Sequence, residues 1–110
     1  MIKRITLVWK RPELSDEEFR RLWLGEHVTY AISLKGLREY VIDFVTEGPE
    51  GAPHGIATLR FDTRADLEAA FSDTKLKEDL MRTRDVFAAS IEIMIVDEQV
   101  LVANVPKAAR

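Results

Sequence analysis

A glycine- and proline-rich stretch at residues 47–55 divides this sequence into two halves with the same pattern. The stretch holds three glycines and two of the four prolines, which is typical of a loop. Each half begins and ends with a segment in which apolar and polar residues alternate, as in a strand. Between these two segments, apolar residues recur at intervals of three and four, as in a helix. This predicts strands at residues 2–10, 38–46, 56–61 and 90–97. It also predicts one helix from residue 15 to about 33 and a second from residue 63 onward, with a bend in the second at 72–74.

The predicted order of elements, β-α-β-β-α-β, favours an α+β fold of the ferredoxin-like type. In that fold a four-stranded antiparallel sheet carries its helices on one face. A chain of 110 residues suits one domain, and we expect it to span 1–110 with a flexible tail at 103–110.

Both predicted helices carry start signals. Ser15 followed by Glu18 is a capping-box pattern, and the acidic residues around it suit the positive end of a helix dipole. Thr63 followed by Asp66 offers a similar start for the second helix.

Apolar residues occur on both faces of the predicted strands, although a sheet with helices on one side needs only one apolar face. Packing two sheets face to face would cover the second face, so we expect a symmetric homodimer. We expect Arg4, Asp43 and Glu92 to be structural charges inside this interface or at its edge. The apolar residues assigned to the uncovered face are Thr6, Val8, Val41, Val45, Met94 and Val96.

Composition excludes several classes of protein. The formal charge of −3 and the pI of about 5.4 argue against a nucleic-acid partner or an anionic membrane surface, because both require a basic field. The sequence has no cysteine, which removes disulfides and thiolate chemistry and is compatible with the cytoplasm, where we expect the protein. No signal-peptide pattern or membrane-span pattern is present, so we expect no membrane partner.

The first predicted helix has one titratable ring, His27, on its apolar stripe. Burial should keep this imidazole neutral near pH 7, and a neutral imidazole can accept a proton in catalysis. A lone histidine on an apolar face is, however, more often a structural residue whose hydrogen bonds are satisfied. The stripe consists of Phe19, Leu22, Trp23, His27, Tyr30, Ala31 and Leu34.

Aromatic residues could complete a site around His27. The phenol of Tyr40 could donate a hydrogen bond to a developing enolate, although core packing explains a tyrosine on a strand equally well. A slot for a flat, apolar molecule could be lined by Trp9, Trp23, Tyr30 and Phe44.

Several short motifs resemble the EthD family of dimeric α+β-barrel proteins, over residues 2 to about 102. The family includes ether-degradation accessory proteins, polyketide dehydratases or decarboxylases and a methylmuconolactone isomerase. The wider superfamily includes polyketide cyclases and cofactor-free monooxygenases. The motifs are Glu18-Phe19-Arg20, Trp23, His27, Gly36-Leu37, Tyr40-Val41, Gly55-Ile56-Ala57, Phe61-Asp62 and Phe87.

The resemblance to the isomerase implies three catalytic residues. That enzyme is thought to move protons with two histidines and a tyrosine, and His27 and Tyr40 match two of these places by motif. His54 matches the third by loop position only and departs from the acidic residue common in the family, so it is either catalytic or an incidental loop residue.

Three functions from different classes follow. The first is a cofactor-independent isomerase, cyclase or lyase that transfers protons on an aromatic-like, polyketide or lactone substrate. The second is a non-catalytic protein that binds a small hydrophobic molecule, and the third is a haem-handling or cofactor-free monooxygenase-type barrel. No nucleotide-binding motif or metal-ligand spacing is present, so we expect no cofactor and no metal site.

Overall fold

The computed structural model describes residues 1–106 of the chain, so the expected flexibility of residues 107–110 lies outside the described residues. The described residues form four strands, β1 (Ile2–Lys10), β2 (Glu39–Phe44), β3 (Gly55–Phe61) and β4 (Ala88–Asp97). The helical elements are α1 (Asp16–Leu22), a π-helical turn (Trp23–His27), α2 (Val28–Ala31), α3 (Arg64–Ala70) and α4 (Thr74–Asp85).

The strands form one antiparallel sheet in the order β2-β3-β1-β4. The central pair β1–β3 joins the two halves of the chain, and β4 returns to the other side of β1. The predicted ferredoxin-like α+β fold is confirmed. None of the helices within residues 1–106 is long and apolar enough to cross a membrane.

The predicted helix starts are also confirmed. Ser15 Oγ accepts a hydrogen bond from the Glu18 amide, and the Glu18 carboxylate accepts one from the Ser15 amide, both at 3.1 Å. Thr63 Oγ1 accepts from the Asp66 amide at 3.1 Å. The bend predicted at 72–74 falls between α3 and α4, where Asp73 caps the new helix by accepting from the Leu76 amide at 3.0 Å.

Trp23 is the centre of the core beneath the first helical segment. Its side chain is 1% exposed and stacks on Phe87, with ring centroids 5.1 Å apart. The indole also presses on β3 at Gly55, where an added Cβ would lie 2.3 Å from the ring. Only glycine fits at this position, which explains a glycine inside the sheet.

The side chains of β1 face the opposite way from the expected arrangement. Thr6 and Val8 were expected on the uncovered face, but they are 6% and 2% exposed beneath the helices, and Arg4 shares their side. We call the helix-covered side the inner face. The outer face carries the alternate positions, including Asp43 and Glu92 and the apolar residues Ile5, Leu7, Trp9, Val41, Ile56, Met94 and Val96.

Candidate active site

A cavity of about 220 Å³ lies between the inner face of the sheet and the helices above it. Most of its wall is apolar, with a few polar groups, as is usual for small-molecule sites. The apolar lining includes Val8, Trp23, Leu59, Leu80, Phe87 and Ile93. The polar lining residues are Arg4, Thr6, His27, Lys77 and Arg84.

A break in regular helix geometry positions His27. Gly25 has non-helical backbone angles (φ −87°, ψ −124°), and a π-helical turn ending at His27 accommodates it between α1 and α2. Such turns are rare and frequently occur at functional sites. The imidazole then packs edge-on against the Phe87 ring, with centroids 5.4 Å apart, at the wall of the cavity.

Thr83 on α4 determines which nitrogen of His27 carries the proton. Thr83 Oγ1 lies 2.7 Å from His27 Nδ1, 2.7 Å from the Asp79 carbonyl oxygen and 3.2 Å from the Leu80 carbonyl oxygen. Two oxygens 2.7 Å apart need a proton between them, and because a carbonyl oxygen only accepts, that proton is the one on Thr83 Oγ1. Oγ1 therefore accepts from His27 Nδ1–H, and the lone pair of the neutral ring is on Nε2. Within residues 1–106, Nε2 makes no hydrogen bond and is not fully buried.

The surroundings of His27 keep it neutral. Burial is the main cause that lowers its pKa to about 4, and the positive charges of Arg84 and Arg4 lower it further, while the nearby Leu80 backbone acts in the opposite direction. The expectation that the imidazole is neutral near pH 7 is confirmed. A neutral ring with a free Nε2 lone pair can accept a proton from a molecule in the cavity.

Tyr40 lies on the same side of the sheet as His27 but does not line the cavity. Its hydroxyl accepts a hydrogen bond from Trp23 Nε1 at 3.3 Å, and Trp23 does line the cavity. Burial raises the pKa of Tyr40, so the phenol is neutral. The structure therefore connects Tyr40 to the site through the indole of Trp23.

His54 lies outside the cavity, at the junction between the loop and β3. Its amide donates to the Val8 carbonyl at 2.8 Å, and its Nδ1 accepts from the Lys10 amide at 3.0 Å. The ring centroid lies 6.2 Å from that of Phe19. These contacts attach the loop to β1.

Of the four aromatic residues expected to bind substrate, Trp23 alone lines the cavity. Trp9 is on the outer face, where Nε1 donates to the Gly51 carbonyl at 2.9 Å. Tyr30 is on the outside of α2, where its hydroxyl donates to Glu26 at 3.2 Å. Phe44 packs edge-on against Trp23 at 5.6 Å, behind the cavity wall.

Sequence reasoning missed the polar residues that surround His27. Thr83 was detectable, because residues 76, 80, 83 and 87 recur at helical spacing and place it on the apolar stripe of α4. Arg4 was placed on the wrong face of the sheet, and Lys77 and Arg84 carry no motif. No group of three or more histidine, cysteine or acidic side chains that could hold a metal ion occurs within residues 1–106.

Comparison with solved structures shows the same fold in several proteins. An EthD family protein from Bacillus halodurans C-125 is 19% identical, with a TM-score of 0.73 over 90% of this chain and 100% of that one. A dimeric protein of unknown function with a ferredoxin-like fold from Bacteroides fragilis is 12% identical, with a TM-score of 0.61 over 88% and 95%. SnoaB, a cofactor-independent oxygenase from Streptomyces nogalater, is 7% identical, with a TM-score of 0.67 over 94% and 97%.

Sequence comparison identifies the family. The sequence has no match among the curated proteins. The EthD domain, in contrast, matches residues 11–91, which is well over half of the chain and includes the π-helical turn, Tyr40 and α4. The chain belongs to the EthD family.

Proposed function

We propose that this protein is a cofactor-independent enzyme that moves a proton on a small cyclic substrate, as an isomerase, cyclase or lyase. The base is His27 Nε2. The observation that carries the proposal is the position of a neutral imidazole on the wall of an apolar cavity, with Nδ1 hydrogen-bonded to Thr83 and no hydrogen bond at Nε2 within residues 1–106. Aromatic-like, polyketide and lactone compounds have the acidic C–H groups and the shape that such a site would accept.

His27 would both accept a proton from the substrate and return it within one catalytic cycle. Nε2 first removes a proton from carbon next to a carbonyl group, which gives an enolate and an imidazolium. Burial and Arg84 disfavour the imidazolium, so it returns the proton readily to a second atom of the enolate. Return to a different carbon is isomerisation, and loss of a leaving group from the enolate is elimination.

Two other candidate residues are given supporting roles in this proposal. Tyr40 holds the Trp23 indole in place at the cavity wall through its hydroxyl. His54 holds the loop against β1 and assists at most indirectly. Thr83 is a positioning residue, because it sets the tautomer of His27.

We propose that the enzyme is a homodimer in which two outer faces pack together. On the outer face of one chain, Val41 and Met94 are 38% and 45% exposed. Sheets that pack face to face bury such residues in a shared core. The dimeric protein from Bacteroides fragilis, which has the same fold, supports this assembly.

Exchange of substrate protons with solvent tests the catalytic proposal. Small cyclic ketones, lactones and hydroxyaromatic compounds are incubated with the protein in D₂O, and loss of the proton next to the carbonyl is followed by NMR. We expect His27→Asn to slow the exchange by about 10²- to 10⁴-fold, the usual contribution of a general base. The matched control is His54→Asn, which removes the other histidine and should lower the rate much less. Equal rates in wild type and His27→Asn would contradict the proposal, and binding without exchange would favour a non-catalytic binding protein.

A cofactor-free oxygenase is the second candidate, because the same base could form an anion that reacts directly with O₂. The similarity in fold to the cofactor-independent oxygenase from Streptomyces nogalater supports it. Oxygen consumption measured alongside deuterium exchange separates the two functions. Consumption that depends on substrate and on His27 would favour the oxygenase.

A further inference from the structure

The charged groups in the cavity are all positive. Arg4, Lys77 and Arg84 line it, and none of its lining residues is an aspartate or a glutamate. Because His27 is neutral, the cavity of the empty protein has a net positive charge inside a mostly apolar wall. Charges in such surroundings are normally paired, since unpaired ones are costly to bury.

Arg4 is the most informative of the three. Its guanidinium carbon lies 4.5 Å from the centre of the Phe71 ring, and Nη1 donates to Thr6 Oγ1 at 3.2 Å. No acidic side chain within residues 1–106 pairs with it, although burial and the charge of Arg84 both lower its pKa. Stacking on a ring leaves the edge of the guanidinium free, and that edge carries the N–H donors.

Arg60 shows how this chain treats a comparable arginine elsewhere. Its side chain is 26% exposed, and it pairs with Glu98 at 2.9 Å and with Glu39 at 3.7 Å. Arg84 pairs with Asp85 at 3.3 Å, but that carboxylate is 60% exposed and lies outside the cavity lining. Within residues 1–106, Arg4 therefore lacks the acidic partner that Arg60 has, and the acidic partner of Arg84 is not part of the cavity lining.

We infer that the cavity binds a small organic carboxylate, with the carboxylate group on Arg4 and Arg84 and the apolar body against Trp23, Phe87 and Leu80. A guanidinium edge binds carboxylate oxygens through two parallel hydrogen bonds, and Lys77 adds a further positive charge. The volume of about 220 Å³ lies below the range of drug-sized sites, so a molecule of one or two rings fits. This inference rests on the proposed function, because it names the substrate class of the same site.

Binding of matched acids and amides tests the inference without knowledge of the substrate. Benzoate and 2-naphthoate are compared with benzamide and 2-naphthamide by calorimetry and by ligand-observed NMR. We expect at least one carboxylate to bind the wild-type protein about tenfold or more tightly than its amide, because each hydrogen bond to a charged group contributes that much. Equal binding of acid and amide, or no binding of either acid, would overturn the inference.

Substitutions of the cavity arginines test whether the preference for acids over amides arises in the cavity. Arg4→Met and Arg84→Met keep the length of the side chain without the charge, and each should reduce the acid-over-amide preference about tenfold, while Arg4→Lys should restore part of it. Arg64→Met is the matched control, because Arg64 is 63% exposed on α3 and outside the cavity. Circular dichroism checks that each variant is folded. A preference that survives in the folded Arg4→Met/Arg84→Met double variant would also overturn the inference.

The His27→Asn variant separates this inference from the proposed function. It should lose proton exchange, whereas the acid-over-amide preference is measured on the wild-type protein and on the arginine variants. If the preference is present but wild type and His27→Asn exchange protons equally, only the proposed function fails. If exchange depends on His27 but neutral compounds bind and react as well as acids, only the carboxylate inference fails.

Discussion

Protonation of His27 should destabilise the folded chain as the pH falls below neutrality. The folded state lowers the pKa of His27 from 6.5 to about 4, mainly through burial. The unfolded chain therefore binds this proton more tightly, so stability is lost between about pH 6.5 and pH 4 and is unaffected by this group at higher pH. Because protonation is coupled to unfolding, this difference in pKa predicts that the free energy of unfolding falls by about 2 kcal/mol from pH 7 to pH 4.5.

Urea unfolding at a series of pH values measures this contribution. Carboxylates also titrate in this range, so the informative quantity is the difference between wild type and His27→Asn at one fixed protein concentration. The advantage of wild type over the variant should shrink by about 2 kcal/mol from pH 7 to pH 4.5. Parallel profiles for wild type and His27→Asn would show that His27 is not held neutral by the fold.

Three further predictions concern packing, tautomer and assembly. Gly55→Ala should destabilise the fold by about 1–3 kcal/mol in urea unfolding, because its Cβ would lie 2.3 Å from Trp23, whereas Gly51→Asn, at a positive-φ position with open space, should cost much less. Thr83→Val should shift the ring proton of His27 from Nδ1 towards Nε2, which imidazole ¹⁵N chemical shifts would detect. Thr83→Ser should keep the proton on Nδ1, and an unchanged tautomer in Thr83→Val would contradict the assigned hydrogen bond. Light scattering should report about twice 12.6 kDa for wild type and a smaller mass for Val41→Lys, and a monomeric wild-type protein would exclude the proposed assembly.

The elements of the fold were predictable because their signals are local. Helix caps need only residues three apart, so the capping box at Ser15 and the N-cap at Thr63 marked both helix starts correctly. The loop at 47–55 was recognisable from its glycines and prolines, whose backbone preferences do not depend on the rest of the structure. The order of these elements then restricted the topology to very few arrangements.

The orientation of β1 was not predictable from its own residues. Alternation places Thr6 and Val8 on one side and Leu7 and Trp9 on the other, and both sets are apolar enough to be buried. Which set faces the helices depends on how it packs against side chains from the helices, such as the buried Trp23. The π-helical turn was missed for a similar reason, because the stripe through His27 fits a regular helix equally well.

The candidate site was predictable in part. His27 was found because a titratable ring interrupts an apolar stripe, and the cavity is indeed at that stripe. Tyr40, Phe44 and Tyr30 were chosen by residue type and by resemblance, but whether a side chain lines a cavity or lies behind it depends on its neighbours. Trp23 is the neighbour that separates Tyr40 and Phe44 from the cavity.

The positive charge of the cavity and the low pKa of His27 are two consequences of one arrangement. A base with a pKa of about 4 is weak at neutral pH, which by itself would limit its catalytic value. Burial is the main cause of that low pKa and would remain in a complex, but Arg84 and Arg4 also lower it, and a bound carboxylate would offset their charge. A bound carboxylate would thus reverse the part of the pKa lowering that the two arginines cause. The base would be strengthened only when an anion occupies the cavity, so binding and proton transfer would be coupled through the same two arginines.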